Sequence, residues 1–560
     1  MKAIFMSPTD HLRAAPFHLD DTAIGWVTAT LAAMTSAQKA GQLFVHSSMG
    51  KDPGELARLA RLHPAGITRF YTPDLGYEAA FIDSVRAQSP IPLLISADLE
   101  GSRMSLPFGV EVPNPLALAA IDDVAASREI ARIMANEARV MGINWSFTPV
   151  LDINAAFRSP IVATRGFGSD PAIIARHALA QIEVFQSMGI AATVKHWPGE
   201  GNDDRDQHLV TTINPLTIEA WEATHGALYR AAIVAGVMSV MSAHIAYPAF
   251  VRSLDPDAGI EAFRPASVSR VLNNDLLRGR LGFNGLIVSD ATPMGGFGAW
   301  GARAQMLPEV IENGCDIILF SADPDADYAL ILAAIADGRI SPARLEQALI
   351  RVLGLKATLG LHNAAFNAAA PQIGTLGRAK DRATAAAITA RAPTLVKDVQ
   401  GLLPLSLQKH KRLLILSGGV ISPIHPPAAF DLPDMLAAEG FEVTIYTPET
   451  RISPADFDAM LFLFGEETLL TRGRIFLDWA RIMGHFFGAM DRHWHDIPTA
   501  MISFGYPYYL YDAPRVPCYV NAFSTMPSMQ TAVLECLMGR SPWNTKSPHD
   551  AFCGLEDARF

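Results

Sequence analysis

The chain is poor in cysteine: four residues, Cys315, Cys518, Cys536 and Cys553, in a length of 560. They are scattered with no metal-type spacing, a pattern that suits buried thiols in a reducing compartment. Charge is also scarce. Only 18% of the residues are charged while 50% are hydrophobic, which excludes intrinsic disorder. The formal net charge of −11 argues against a nucleic-acid partner and leaves no polybasic patch for a membrane surface. Unbroken apolar runs are missing too. The most membrane-like stretch, Ala231 to Val251, is interrupted by Ser239, Ser242, His244 and Pro248 and reads as buried interior. The opening MKAIFMSPTDHLRAAPFHLDD has no apolar core followed by a small-residue cleavage site. No secretory leader is therefore expected, and the cytoplasm is the expected location. Repeats and low-complexity tracts are absent. What remains is a globular chain long enough for more than one domain.

The polar groups concentrate in one place. Lys195 to His208 reads KHWPGEGNDDRDQH, directly after the apolar run Ala191 to Val194. A lysine, two histidines, a glutamate and three aspartates share fourteen positions with two glycines and a proline, so this is a loop. Similar apolar runs recur through the first half: Gly41–Val45, Ala65–Tyr71, Pro92–Ala97, Trp145–Leu151, Ala191–Val194, Gly236–Ser242, Gly285–Ser289 and Cys315–Phe320. Helix-like segments separate them, with Thr35-Ser36 as a cap before Gly41 and a helical spacing over Ser267–Arg278. Eight strands alternating with helices predict a (β/α)8 barrel. Asp98 and Glu100 follow the third strand and Asp152 the fourth; Lys195 and His196 end the fifth, His244 the sixth and Asp290 the seventh. A barrel brings all of these to its C-terminal face, where active sites lie. The expectation is an enzyme.

The polar, alanine-rich stretch after Leu361 predicts a linker over 361–393, with a helix near Ala379–Ala390, between a barrel at 1–360 and a second domain at 394–560. That domain has five strand-like runs, Arg412–Leu416, Glu442–Tyr446, Ala459–Phe464, Thr499–Ser503 and Cys518–Ala522, which predict an open α/β sandwich. Gly418-Gly419 is too short for a phosphate-binding fingerprint, so no nucleotide cofactor is expected.

Two long motifs carry a family resemblance. KHWPGEGNDDRDQH follows the pattern K-H-[FI]-P-G-x-G-x-x-x-x-D-[ST]-H, and LGFNGLIVSDATPM (281–294) follows L-G-F-x-G-[LV]-[IV]-x-[ST]-D-[AD]-x-x-M. Weaker matches are ADLEG (97–101), GINWSFTPVLDIN (142–154), RGFGSDP (165–171), MSAHIAYP (241–248) and TLVKDVQGLLPL (394–405). The chain thus resembles glycoside hydrolase family 3, in particular its bacterial β-N-acetylglucosaminidases. The resemblance implies a retaining exo-glycosidase with Asp290 as nucleophile and an Asp206–His208 dyad in which His208 is the acid/base. It further implies that Asp98, Arg165, Lys195 and His196 hold a carbohydrate substrate; His244 and Met294 are further candidates for sugar contact. No metal and no cofactor are implied.

The chemistry of these residue types agrees. A carboxylate at a strand end is rigid enough to trap an oxocarbenium-like centre. Histidine titrates near neutral pH and can both give and take a proton, and an aspartate two residues away can orient it. Some positions depart from the pattern: Ala291 after the nucleophile, Gln207 inside the dyad, Gly166 after Arg165, Trp197 in the loop, and Leu106 where single-domain relatives carry an arginine. Trp197 is expected to pack rather than stack on sugar. Three alternatives stay open. One is a β-glucosidase-type member whose acid, Glu466 or Glu467, comes from the second domain. The others are a metal-dependent hydrolase using His196, His244 and Asp290, and a non-catalytic sugar sensor.

Overall fold

The computed structural model describes residues 7–363, 373–422, 426–468 and 470–560. Residues 1–6 of the opening stretch and 364–372 of the expected linker lie outside the described residues.

Eight parallel strands form the barrel: β1 (Phe44–Met49), β2 (Gly66–Phe70), β3 (Leu94–Ala97), β4 (Trp145–Ser146), β5 (Ala191–Trp197), β6 (Ser239–Ser242), β7 (Leu286–Ser289) and β8 (Ile318–Leu319). Hydrogen-bonded neighbours run β8-β1-β2-β3-β4-β5-β6-β7, and a parallel bridge between Val288 and Ile317 joins the two ends of that order. Successive residues of a strand face opposite sides. Val45, Leu94, Ala191, Met241, Leu286 and Leu319 therefore fill the inside, in one cluster with the N-terminal residues Leu12, Phe17 and Val27. Their neighbours Phe44, Ile95, Ala192, Val240, Ile287 and Ile318 pack outward in a second cluster with the surrounding helices. Both faces are dry, which is why these strands read as unbroken apolar runs.

The barrel expectation holds, with altered strand limits. Gly41 ends the helix Ser36–Gly41, which Thr35 opens through a capping box with Gln38, so β1 starts three residues later than expected. β4 stops at Ser146 rather than Leu151; beyond Pro149, which has no N–H to donate, Val150 makes only an isolated bridge to Lys195. β5 runs on to Trp197, so Lys195 and His196 lie within the strand. The helix expected over Ser267–Arg278 is a 3-10 turn at Ala266–Val268 followed by a π-helix at Val271–Arg280, with Leu272 and Leu276 on its buried side.

The second sheet has six strands, one more than expected: β9 (Thr394–Asp398), β10 (Arg412–Val420), β11 (Glu442–Ile445), β12 (Ala459–Gly465), β13 (Thr499–Ser503) and β14 (Cys518–Asn521). Their order is β9-β14-β13-β12-β10-β11, all parallel except the antiparallel pairing of β9 with β14. Leu413, Ile415, Leu461 and Leu463 pack on one face and Leu414, Leu416, Met460 and Phe462 on the other.

The sheet is bonded directly to the barrel. Helix Pro115–Ile121 leaves the β3–β4 connection and places Leu116, Ala117 and Ala120 in the apolar cluster of the second sheet. Asn114 caps that helix and donates to Phe523 O at 2.7 Å. Glu467, just beyond β12, accepts from Ser102 Oγ (3.0 Å), Thr525 N (2.8 Å) and Thr525 Oγ1 (2.6 Å) at one buried oxygen. Among the described residues, no helix is long and apolar enough to cross a membrane. Replacing Glu467 by alanine leaves the Ser102 and Thr525 donors without their shared acceptor. We expect a loss of about 2–3 kcal/mol, read as a lower thermal or urea midpoint.

Candidate active site

The C-terminal face of the barrel carries a chain of alternating charges. Lys195 Nζ lies 2.7 Å from both Asp98 Oδ1 and Glu100 Oε1, and Arg165 grips Glu100 with two bonds of 2.8 Å. Burial opposes each charge, but partners outweigh it. Arg165 and Lys195 hold the Glu100 carboxyl far below the usual range, while Asp98 and Glu100 hold the Lys195 ammonium above its ordinary value. Arg165 pairs with Glu100 rather than with Asp152, and its Nη2 lies 3.5 Å from His196 Nε2.

Asp152 is occupied from the other side. It accepts from His196 N (3.0 Å) and Glu200 N (2.9 Å) at Oδ1, and faces His196 Nδ1 at 2.5 Å through Oδ2. Together these clasps turn the His196 ring so that Nε2 points toward Arg165. Asp152, His196 and Glu200 are the one set of three metal-ligand-type side chains among the described residues whose ligand atoms lie within 4.8 Å of one another. The set is knitted together by hydrogen bonds, and it is not the His196, His244 and Asp290 set of the metal alternative.

Asp290 follows β7 directly. Its N–H donates to Ser242 O, and its Oδ1 accepts from Ala291 N, both at 2.7 Å. Burial pushes this carboxyl up, but His196, His244 and His208 and the Ala291 N–H together bring it below the ordinary aspartate value. His244 is fully buried with both nitrogens engaged, Nδ1 with Ser267 Oγ and Nε2 with Ala291 O, each at 2.9 Å. This places it against the turn after Asp290. Met294 closes that turn through a 3.1 Å bond from its N–H to Ala291 O and is nearly buried.

Asp206 and His208 lie against one another. Asp206 Oδ1 accepts from His208 N at 2.8 Å and lies 2.7 Å from His208 Nδ1. Burial raises the Asp206 carboxyl, but His208 and the N–H groups of His208 and Thr471 lower it further, to a net value below normal. Thr471 belongs to the second domain, and its N–H reaches Asp206 Oδ2 at 2.9 Å. The loop then sits on the Asp290 segment: Gly295 N donates to His208 O at 2.7 Å and Gly296 N to Gln207 O at 3.0 Å. These approaches require glycine, since a Cβ on either residue would lie 2.5 Å from a carbonyl oxygen of the loop.

Trp197 packs as expected, with no exposure, edge-on to Trp221 and Tyr229. Of the second-domain carboxylates, Glu467 is committed to the interface and Glu466 accepts from Tyr509 OH. The site also contains groups that the motifs did not mark as functional. Glu100, expected on this face beside Asp98, carries no role in the matched motifs, yet it is the shared partner of Lys195 and Arg165. Glu200 occupies a variable place in the loop motif, and Thr471 has no sequence signal at all.

The model of the glycosyl hydrolase family 3 N-terminal domain matches residues 39–355. A β-N-acetylglucosaminidase/β-glucosidase of Cellulomonas fimi is 40% identical over 98% of this chain and all of its own length. A β-hexosaminidase of Xanthomonas oryzae pv. oryzae is 33% identical over 47% of this chain and 76% of its own. Among solved structures, the β-glucoside phosphorylase BglX superposes with a TM-score of 0.91 at 31% identity, covering 99% of this chain and all of that one. A family 3 β-N-acetylglucosaminidase of a Paenibacillus species gives 0.79 at 26% identity, over 93% of this chain and all of that one. The chain belongs to glycoside hydrolase family 3, and it is an enzyme acting on carbohydrate.

Gly296→Ala should lift the dyad loop off the Asp290 segment while leaving the barrel intact. We expect roughly a 100-fold fall in kcat/KM with unchanged circular dichroism, since displacements near 1 Å carry costs of that order.

Proposed function

We propose that this enzyme is an exo-acting, retaining glycosidase that releases terminal β-linked N-acetylglucosamine. In this reading Asp290 attacks the anomeric carbon while His208 gives its proton to the departing oxygen. His208 then takes a proton from water, whose oxygen attacks the same carbon and breaks the glycosyl–Asp290 ester. Oδ1 of Asp290 is held by Ala291 N, which leaves Oδ2 as the attacking oxygen. The observation that carries the reading is the backbone pair from Gly295 and Gly296, which seats the His208 loop on the Asp290 segment. Asp206 orients the imidazole. Asp98, Arg165, Lys195 and His196 bind the sugar, and His244 and Met294 brace the turn after the nucleophile. No metal or cofactor enters the scheme. The domains are assigned as 1–360 and 394–560 with a linker at 361–393. The barrel's last strand ends at Leu319, the second of the two helices after it at Thr358, and the second sheet begins at Thr394.

The names of the Cellulomonas fimi and Xanthomonas relatives support an acetamido substrate, and the former also supports a β-glucoside. The commitments of Glu466 and Glu467 speak against an acid supplied by the second domain. A second reading, phosphorolysis in place of hydrolysis, is favoured by the full-length likeness to the β-glucoside phosphorylase. An imidazole repels an incoming phosphate less than a carboxylate does.

The test is turnover of 4-nitrophenyl β-N-acetylglucosaminide and the matching β-glucoside by wild type, Asp290→Ala and His208→Ala. Asp290→Ala should abolish release, and His208→Ala should lower kcat/KM by about 10²–10⁴-fold. Turnover of the glucoside alone, indifferent to His208→Ala, would overturn the dyad assignment; silence on both would favour a binding protein. Formation of sugar 1-phosphate that scales with added phosphate would establish the second reading, and free sugar alone at high phosphate would reject it. The pH profile gives a further expectation. Asp290 ionises below the ordinary value of about 3.9, so its charge persists as pH falls to that point. Loss of kcat/KM through the nucleophile should set in only at still lower pH. An acid limb well above that value in the wild type would contradict this account of Asp290.

A further inference from the structure

Glu200 lies in the middle of the loop, 2% exposed, and does none of the work assigned so far. Its Oε2 accepts from Gln207 Nε2 at 2.9 Å, and its Oε1 is buried with no hydrogen-bond partner. Gln207 is fully buried and spans to the segment just after β6, where its Oε1 accepts from His244 N at 3.1 Å. Gln207 also stands between Asp206 and His208, so whatever holds its side chain holds the backbone of the dyad.

We propose that Glu200 is a positioning residue, an uncharged carboxylic acid that clamps Gln207 and through it sets the place of His208 above Asp290. This rests on the role of His208 given above. The donor supply argues for the uncharged form. Of the two neighbouring buried carboxyls, Asp152 receives three N–H bonds and Glu200 a single side-chain amide. Two such groups in one dry site do not both ionise, and the one with more donors keeps the charge. The groups facing Glu200 are Asp152 beyond β4, His196 at the end of β5, Arg165, Asp206 in its own loop, Asp290 beyond β7, and Tyr229 on helix His225–Val234. Burial first, then Asp152, Asp290 and Asp206, raise this carboxyl well above its usual range, against the pull of Arg165.

Glu200→Gln keeps the shape and the acceptor and cannot ionise, whereas Glu200→Ala removes the clamp. The amide variant should keep kcat within about twofold, and the alanine variant should lose roughly 10–100-fold, as for other groups that orient a reacting side chain. The loss should be larger for an alkyl glycoside, which needs a proton on its leaving oxygen, than for a dinitrophenyl glycoside, which does not. Wild type at neutral pH should also show the infrared carbonyl band of a protonated carboxyl that Glu200→Gln lacks. A Glu200→Gln variant as impaired as Glu200→Ala, or no difference in that band, would overturn the proposal. The His208→Ala variant separates the two levels. If it shows no leaving-group dependence, the acid/base reading fails. If it does while Glu200→Ala does not, only the clamp fails.

Discussion

The site depends on the desolvation of Asp152. A carboxylate buried this deeply is tolerated only where donors replace its water, and the chain supplies them from a single segment: the His196 and Glu200 amides and the His196 ring. Meeting that demand shapes the start of the loop. It fixes the His196 ring, directs the backbone toward Gly201, and leaves Glu200 facing Gln207. Gly201 itself must be glycine, since its φ is 104° and a Cβ would meet Ile153 O at 1.9 Å. The bend that carries the chain to the dyad is thus built on the segment after β4.

A second constraint is electrical. Asp98, Lys195, Glu100 and Arg165 are mostly buried, and each tolerates burial because its neighbour has the opposite sign. The carboxylates hold the Lys195 and Arg165 donors in fixed directions, so in the proposed reading a sugar hydroxyl meets dipoles that need not reorganise. His244 serves the other wall. With both ring nitrogens engaged it stays in one orientation and is held below its usual basicity by burial.

The parallel strands were readable because both of their faces are dry; Leu94-Ile95 and Leu286-Ile287 put one residue inside and one outside, and both must be apolar. β9 was not readable as a strand. It is an antiparallel edge strand, Thr394–Asp398, and its Lys397 reaches Pro514 O and Ala558 O, contacts that local pattern cannot signal. Strand ends were misjudged where another rule intervened, as with the helix that consumes Gly41 and the proline at 149. In the site, residues at strand ends and in long motifs were legible. Thr471 was not, because a backbone N–H donated across 265 positions of sequence leaves no trace in residue type. Glu100 was legible as a residue of the active face, but not as the carboxylate that Lys195 and Arg165 share, because that pairing joins three separate segments of the barrel.

Helix Pro115–Ile121 has a consequence for how the chain is made. Leu116, Ala117 and Ala120 are coded within the barrel but buried against strands that begin at Thr394 and end at Asn521. While a ribosome is still extending the second half, that apolar knob has nothing to cover it. The nascent barrel therefore carries an adhesive patch until nearly the last strand emerges, a period in which such intermediates associate with one another or with chaperones. The order of synthesis makes the second sheet the cap that ends this exposure.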